Sequence, residues 1–308
     1  MAVIWELDFY SRPILDENGK KRWEILICEG QMDLDGAPEA GFRYARYFAN
    51  TEVNSLAVRS ALQEAMAQSG QVPQKVRFFR QSMKNAITKG CEDAGLTAIA
   101  SYRALTLAEW LRDREATVYP QEPGYQAAAA AGSVFLPPPV AQPLPDALLG
   151  QKWAFVNLPL GAFGDWQEWE MDFGEGVPLA GLDLAPETAV PGILVFSPRA
   201  KAIAAWMSGL EMGFLTIEQQ IKPSSLSSDR VEFPDQIILE TGVGDRWVFA
   251  NLPEASLKAE GARFMAAKDQ AKGLHFIAVQ QKPEEERFAG FWLMVDLKAL
   301  RAASDRAE

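Results

Sequence analysis

IWELDFYSRPILDENGKKRWEILIC, residues 4–28, contains two apolar runs separated by a short polar connection. The connection includes Asn18-Gly19, a dipeptide that strongly favours a tight hairpin turn. Apolar runs on both sides of such a turn predict two antiparallel strands, at residues 4–10 and 22–28. The chain is therefore expected to begin with a β-hairpin.

Strands and helices alternate after this hairpin. Asn54 can cap a helix that ends at Gly70, and Ser82 can cap a second helix that ends at Gly95. A last helix, running to about residue 115, has a capping-box pattern that begins at Thr106. Further strands are predicted at residues 42–48, 75–80 and 96–101.

Three strands, a helix, a strand, a helix and a strand is the element order found in ribonuclease-H-like folds. We therefore predict an α/β (mixed α+β) chain whose N-terminal domain, residues 1–118, has a ribonuclease-H-like mixed sheet with helices. Such nucleases gather carboxylates around two metal ions. Asp8 on the first strand could supply one ligand and Glu64 a second. The segment 75–81, where another is expected, contains no acid, which favours a non-catalytic version of the fold.

Proline density marks the end of this domain. Residues 119–150 are rich in proline and alanine, and prolines at this density block helix and sheet formation, so a linker is predicted. A second α+β domain is predicted at residues 151–300, followed by a polar tail at 301–308. Its predicted strands are at 192–196, 236–240, 247–251, 275–280 and 290–296, its helices at 198–210 and 254–272, and a loop at 222–229.

Composition excludes several kinds of site. The chain contains two cysteines and one histidine, which cannot form a standard zinc site or support a histidine-based catalytic triad. Cys28 and Cys91 are expected to be buried thiols, and His275 a hydrogen-bonded structural residue. No catalytic residue, metal or cofactor is predicted, and the chain is not expected to be an enzyme.

Hydropathy indicates no integral membrane segment, since no apolar run approaches the roughly 20 residues that span a bilayer. The N-terminal residues lack the features of a signal or transit peptide. These patterns predict a cytoplasmic location.

Charge is distributed unevenly along the chain. The formal net charge is −11, and an acidic chain taken alone argues against a nucleic-acid partner. Residues 1–115, however, carry 15 Lys and Arg against 16 Asp and Glu, whereas residues 151–308 carry 15 against 23. A nucleic-acid site is therefore expected in the N-terminal domain.

The segment 75–89 has five positive charges and no acid, with Phe78 and Phe79 between two arginines. Cations can hold a phosphate backbone while one exposed aromatic ring stacks on a base. Neighbouring strand residues face opposite ways, so at most one of the two rings is expected to be exposed. The hairpin tip and the third strand could extend this basic surface. The candidate RNA-binding residues are Arg12, Lys20, Lys21, Arg22, Arg43, Arg46, Lys75, Arg77, Phe79, Arg80, Gln81, Lys84 and Lys89.

The tryptophans of the second domain are mostly expected in its core. Trp166 and Trp169, which stand among acids, are expected at the surface or in an interface. An assembly adaptor that contacts proteins through this acidic domain is therefore an alternative hypothesis, and a metal-dependent nuclease is another.

Short segments spread along most of the chain form a recognisable set, at residues 5–14, 19–21, 23–24, 75–81, 110–111, 118–120, 124–126, 152–159, 205–211 and 290–293. In these segments the chain resembles the Tab-type RNA-binding translation factors of chloroplasts and cyanobacteria. This resemblance implies that the chain binds A/U-rich single-stranded RNA and promotes translation of photosystem mRNAs and photosystem biogenesis. It also implies translation or photosystem assembly proteins as further partners.

Overall fold

The computed structural model describes residues 3–31, 33–36, 41–127, 134–135, 139–150, 152–219, 234–298 and 306–307. The chain divides into two compact units. The first unit contains residues 1–138, 177–181 and 298–308, and the second contains residues 139–176 and 182–297. The loop predicted at 222–229 lies outside the described residues, as does the tail predicted at 301–308 apart from residues 306–307.

The first unit contains a five-stranded sheet with the order β3-β2-β1-β4-β5. Strands β1 to β3 pair antiparallel, whereas β4 and β5 join β1 in parallel. The predicted order of elements along the chain is confirmed, and a ribonuclease-H-like fold remains a prediction. The strands are β1 (Ile4–Leu15), β2 (Lys21–Glu29), β3 (Arg43–Phe48), β4 (Lys75–Phe78) and β5 (Ala98–Ala100).

Helices cover both faces of this sheet. Helices α1 (Ser55–Ser69) and α2 (Lys84–Asp93) pack on the face that presents the apolar side chains of β1. Helix α3 (Leu105–Asp113) lies on the opposite face, where the Leu107 N–H donates to the Glu6 carboxylate at 2.7 Å. Residues of the central strands β1 and β4 are therefore buried whichever face they point to.

The starts of the helices only partly follow the predictions. Asn54 caps α1 by accepting from two backbone N–H groups, and Gly70 ends it with φ = 68°, as expected. The predicted cap at Ser82 is wrong, because Ser82 lies in a 3₁₀ turn and α2 begins two residues later. The capping box at Thr106 is also wrong, since Thr106 lies inside α3 and Glu6 binds the first turn instead.

The second unit contains a five-stranded sheet, β8-β10-β14-β15-β9, and a four-stranded sheet, β11-β12-β13-β7. Helices α4 (Ala200–Ser208) and α5 (Ala255–Gln270) contribute to the core shared by these two sheets. The strands are β7 (Gln142–Pro143), β8 (Lys152–Pro159), β9 (Met171–Glu175), β10 (Ala189–Phe196), β11 (Met212–Glu218), β12 (Asp235–Thr241), β13 (Asp245–Leu252), β14 (Leu274–Gln280) and β15 (Phe288–Val295). In the first unit, β6 (Val134–Phe135) pairs with β16 (Arg306–Ala307).

These sheets and helices confirm the mixed α/β class. Both cysteines are buried free thiols, and His275 is a buried, hydrogen-bonded residue, as predicted. None of the helices in the described part of the chain is long and apolar enough to cross a membrane.

Candidate nucleic-acid interface

The basic segment around β4 lies in the interior of the first unit. Arg77 is 0% exposed, Phe78 2%, Phe79 0% and Arg80 4%. The expected exposure of Phe79 for base stacking is wrong, as is that of Arg77 and Arg80 for phosphate binding. The physical reason is that β4 pairs with a strand on each side and is covered on both faces.

Asp8 holds two of the candidate arginines inside the protein. The Arg80 Nε donates to Asp8 Oδ1 at 2.6 Å, and the Arg12 Nη2 lies 3.0 Å from Asp8 Oδ2. Burial alone would raise the pKa of Asp8, but the two guanidinium groups outweigh it and hold that pKa below its usual value. The Arg80 guanidinium also lies 3.7 Å from the centroid of the Tyr10 ring. Arg12, at 3% exposure, is likewise not the surface contact that we predicted.

Glu24 binds a second set of hydrogen-bond donors on the same face of the sheet. Its carboxylate accepts from Arg12 Nε at 2.9 Å, from the Tyr119 hydroxyl at 2.6 Å, and from Arg114. Glu24 and its Arg12 partner are both buried, at 0% and 3% exposure. A buried charge is costly unless it is paired and hydrogen-bonded, so Arg12 is fixed by two carboxylates.

Glu6 is the third buried acid of this face. Burial raises its pKa to about 7, although the hydrogen bond from the Leu107 N–H and the charges of Arg77 and Arg103 act in the opposite direction. Both arginines are buried, at 0% and 5% exposure. Glu6 therefore titrates near neutral pH beneath the first turn of α3.

These three acids and their arginines form one buried ionic layer between the sheet and the chain segment that begins at α3. The sequence analysis missed Glu6, Glu24, Arg103, Arg114 and Tyr119 as members of this layer. Charged and apolar residues alternate along β1 and β2, and this alternation was the only available signal. It is also the pattern of a strand with one solvated face, so it does not indicate that the charged side chains are buried. Only the presence of α3 on that face shows that it is buried.

The other candidates lie at or near the surface of the first unit. Lys20, Lys84 and Lys89 are exposed, whereas Lys21, Arg22, Arg43, Arg46, Lys75 and Gln81 are half-buried. Lys89 pairs with Asp93, and Arg46 pairs with Glu64. Arg43 lies over the Trp110 ring at 5.4 Å. Among the described residues, Lys20, Lys21 and Lys84 make no ion pair.

Three of these cations are consecutive in the chain at the hairpin between β1 and β2. Asp16 organises the turn by accepting from the N–H groups of Asn18 and Lys20, each at 2.9 Å, and Gly19 adopts φ = 72°. Arg22 lies over the Tyr47 ring at 4.1 Å and 3.8 Å from Glu122. We call Lys20, Lys21, Arg22 and Tyr47 the hairpin patch.

The carboxylates considered for a metal site do not converge. Asp8 is bound by Arg80 and Arg12, and Glu64, on α1, is bound by Tyr44 and Arg46 of β3. Asp8 points to the α3 face of the sheet, whereas α1 covers the other face. Within the described ranges, no group of three or more His, Cys, Asp and Glu residues is arranged to hold a metal ion.

Comparisons with known proteins agree with the two-unit architecture. Residues 4–114 match the family model described as RNA-binding protein Tab2/Atab2 N terminal, and residues 131–295 match that described as RNA-binding protein Tab2/Atab2, C-terminal domain. The Protein TAB2 homolog, chloroplastic, of Zea mays is 38% identical over 300 residues, which cover 95% of this chain and 71% of the relative. The Arabidopsis thaliana protein of the same name is 36% identical over 301 residues, covering 95% and 74%. No solved structure matches the chain significantly.

The two family models together define the class as an RNA-binding protein built from an N-terminal and a C-terminal α/β part. The chain belongs to the Tab2/Atab2 family, and the predicted resemblance is thereby confirmed.

Proposed function

We propose that this protein binds A/U-rich single-stranded RNA through its first unit, promotes translation of photosystem mRNAs and supports photosystem biogenesis. Both matched family models are described as RNA-binding, and the two relatives are named as chloroplastic proteins. The protein acts by binding rather than as an enzyme, and its proposed location is the cytoplasm. The N-terminal, linker and C-terminal divisions at residues 118 and 150 also remain predictions.

The hairpin patch is the observation that carries this proposal. Lys20 is exposed at the tip of the hairpin, and Lys21 and Arg22 follow it directly. Tyr47 is half-buried beneath Arg22, and a base could stack on this ring only by displacing Arg22, whereas Phe79 lies in the interior. Cations hold a single strand by its phosphates, and each base stacked on an aromatic ring contributes about 1–3 kcal/mol.

Helix α2 provides a second, weaker cationic point. Lys84 is exposed at its start, and Lys89 is exposed but already pairs with Asp93. Lys75 and Gln81 lie nearby in the chain and are half-buried. Arg43 and Arg46 contact Trp110 and Glu64, so they contribute less to a free phosphate-binding surface than the hairpin patch does.

Charge reversal in the hairpin patch tests the site. We expect Lys20→Glu/Lys21→Glu to weaken binding of A/U-rich single-stranded RNA about tenfold or more at ~0.1 M salt. If each lysine contacts one phosphate, the negative slope of log affinity against log salt becomes shallower by roughly 1.4. The measurement is fluorescence anisotropy with labelled RNA over a salt series.

The matched control is Lys152→Glu/Lys282→Glu, which reverses two exposed lysines of the second unit. It changes the net charge equally, so equal weakening by both variants would show that only total charge matters. Unchanged affinity in a folded hairpin variant would remove this patch as the binding site.

Sequence preference and activity require separate measurements. A/U-rich RNA should compete better than a G/C-rich single strand of equal length. A reporter carrying the untranslated leader of a photosystem mRNA should lose translation when the hairpin variant replaces the native protein. Retained translation together with lost RNA binding would contradict the proposed role while leaving the binding site intact.

Metal-dependent nuclease activity is the competing enzymatic function. It is disfavoured because the two guanidinium groups occupy the carboxylate of Asp8. Incubation of the RNA with the protein and Mg²⁺ or Mn²⁺ tests it, and cleavage that a chelator stops would reinstate this function.

A further inference from the structure

A pair of tryptophans forms a rigid aromatic surface on the second unit. Trp166 and Trp169 lie on and just after a 3₁₀ segment, Leu160–Glu168, with their ring centroids 5.5 Å apart. Both rings rest on Phe291, at 5.2 and 5.3 Å, and Phe291 is 0% exposed. Trp169 also contacts Phe288 at 5.9 Å. The rings are therefore held in place from below.

Both tryptophans remain half-buried rather than enclosed. Neither indole N–H donates a hydrogen bond to another described residue. Rings fixed by packing lose little conformational entropy on binding, and tryptophan is enriched among the residues that dominate interface energies. We call Trp166 and Trp169, with the exposed acids around them, the tryptophan surface.

The chain segment that carries these rings is acidic. Residues 160–176 contain five Asp and Glu residues and no Lys or Arg. Asp165, Glu168 and Glu170 are exposed, whereas Asp172 pairs with Arg287 and Lys201. The faces of indole rings attract cations, and carboxylates beside them strengthen that attraction. The same charges repel a phosphate backbone.

We propose that the tryptophan surface docks a basic polypeptide segment, one in which arginine or lysine alternates with apolar side chains. The cations would lie over the indole rings and pair with Asp165, Glu168 and Glu170, while the apolar side chains cover the rings. This interaction is independent of the RNA site on the first unit. It gives the acidic half of the chain a protein partner and leaves RNA to the other half.

Binding of synthetic peptides to the full chain tests the proposal. The probe is a short fluorescent peptide of repeating Arg-Ala-Leu, and the reference is the same peptide with Glu in place of Arg. We expect the arginine peptide to bind and the glutamate peptide not to bind. Asp165→Asn/Glu168→Gln/Glu170→Gln keeps the packing of the rings and should weaken binding about tenfold.

The control for total charge is Glu17→Gln/Glu92→Gln/Glu115→Gln, which neutralises three exposed acids of the first unit. It should change affinity less than about twofold. Trp166→Ala/Trp169→Ala should abolish binding, and the triple acid variant still decides the matter should this one not fold. The proposal is overturned if neither peptide binds, if the control weakens binding equally, or if polyuridylate RNA binds the tryptophan surface instead.

Discussion

Arg80 and Lys84 are four residues apart in the chain, and in the sequence they look like equivalent cations of one basic segment. In the structure Arg80 is 4% exposed and bound to Asp8, whereas Lys84 is exposed at the start of α2. The difference arises because Arg80 directly follows the end of β4, an inner strand covered on both faces, whereas Lys84 lies on the exposed side of α2. One arginine is therefore part of the interior, and the lysine is part of the surface.

Replacement of these two cations should separate the two roles. Arg80→Leu leaves Asp8 with Arg12 alone, and breaking a buried ion pair costs about 3–5 kcal/mol. Lys84→Leu should change the free energy of unfolding by no more than about 0.5 kcal/mol. Urea denaturation of both variants measures the difference, and comparable costs would show that Arg80 is not held by a buried pair.

Glu6 should make stability depend on pH. Its pKa is about 7 in the folded protein and 4.5 ordinarily, so the folded state binds this proton more tightly. The resulting stabilisation is full below pH 4.5 and is lost as pH rises through 7, a change of about 3 kcal/mol.

Glu6→Gln should remove this decline, because glutamine still accepts the Leu107 N–H but carries no titrating proton. The unfolding free energies of the native protein and the variant, measured from pH 4.5 to 8, should converge as pH rises, or the variant should become the more stable of the two. Glu17→Gln, at an exposed position, should follow the native profile. Parallel profiles for Glu6→Gln and the native protein would contradict the raised pKa.

Helix α5 carries one lysine in the core and one at the surface. Lys268 is 0% exposed and donates to Asp296 and to the Leu215 carbonyl of β11, each at 2.7 Å. His275 accepts from the Leu215 N–H at 2.8 Å. Both side chains therefore fix the backbone of β11, which lies at the edge of its sheet. Burial lowers the pKa of His275 well below its usual value, and the nearby Lys268 adds to this effect.

We expect Lys268→Met to cost about 3–5 kcal/mol, because it removes the cation from the buried Lys268–Asp296 ion pair. It should also increase hydrogen exchange along β11. Lys258→Met, on the same helix at 36% side-chain exposure, should cost less than about 1 kcal/mol. Equal effects of the two variants would mean that Lys268 does not anchor the edge strand.

Elements whose ends carry local signals could be predicted from the sequence. Asn18-Gly19 marks the hairpin, and Asn54 and Gly70 mark the ends of α1, because these side chains and backbone angles act within a few residues. The strands β9 and β11 were not predicted. Helix α3 was placed with the wrong cap, because Glu6, which binds its first turn, is about 100 residues earlier in the chain.

At the scale of the whole molecule, the surface formed by residues 1–115 is no more basic than their amino-acid composition suggests. Arg12, Arg77, Arg80 and Arg103 are buried together with Glu6, Asp8 and Glu24. An RNA site on the first unit would therefore depend on a few local cations rather than on a basic face. The sequence analysis included the hairpin cations among its candidates but placed its main expectation at residues 75–89. Periodicity alone does not distinguish a solvated strand face from one that a distant helix covers.

The first unit is built from segments that are far apart in the chain, and this has a consequence for its synthesis on the ribosome. Leu34 in this unit accepts a backbone hydrogen bond from the Leu179 N–H at 2.9 Å, and residues 177–181 and 298–308 belong to the same unit. A nascent chain that has emerged only as far as residue 138 lacks these segments. The first unit therefore becomes complete only after most of the second has been translated.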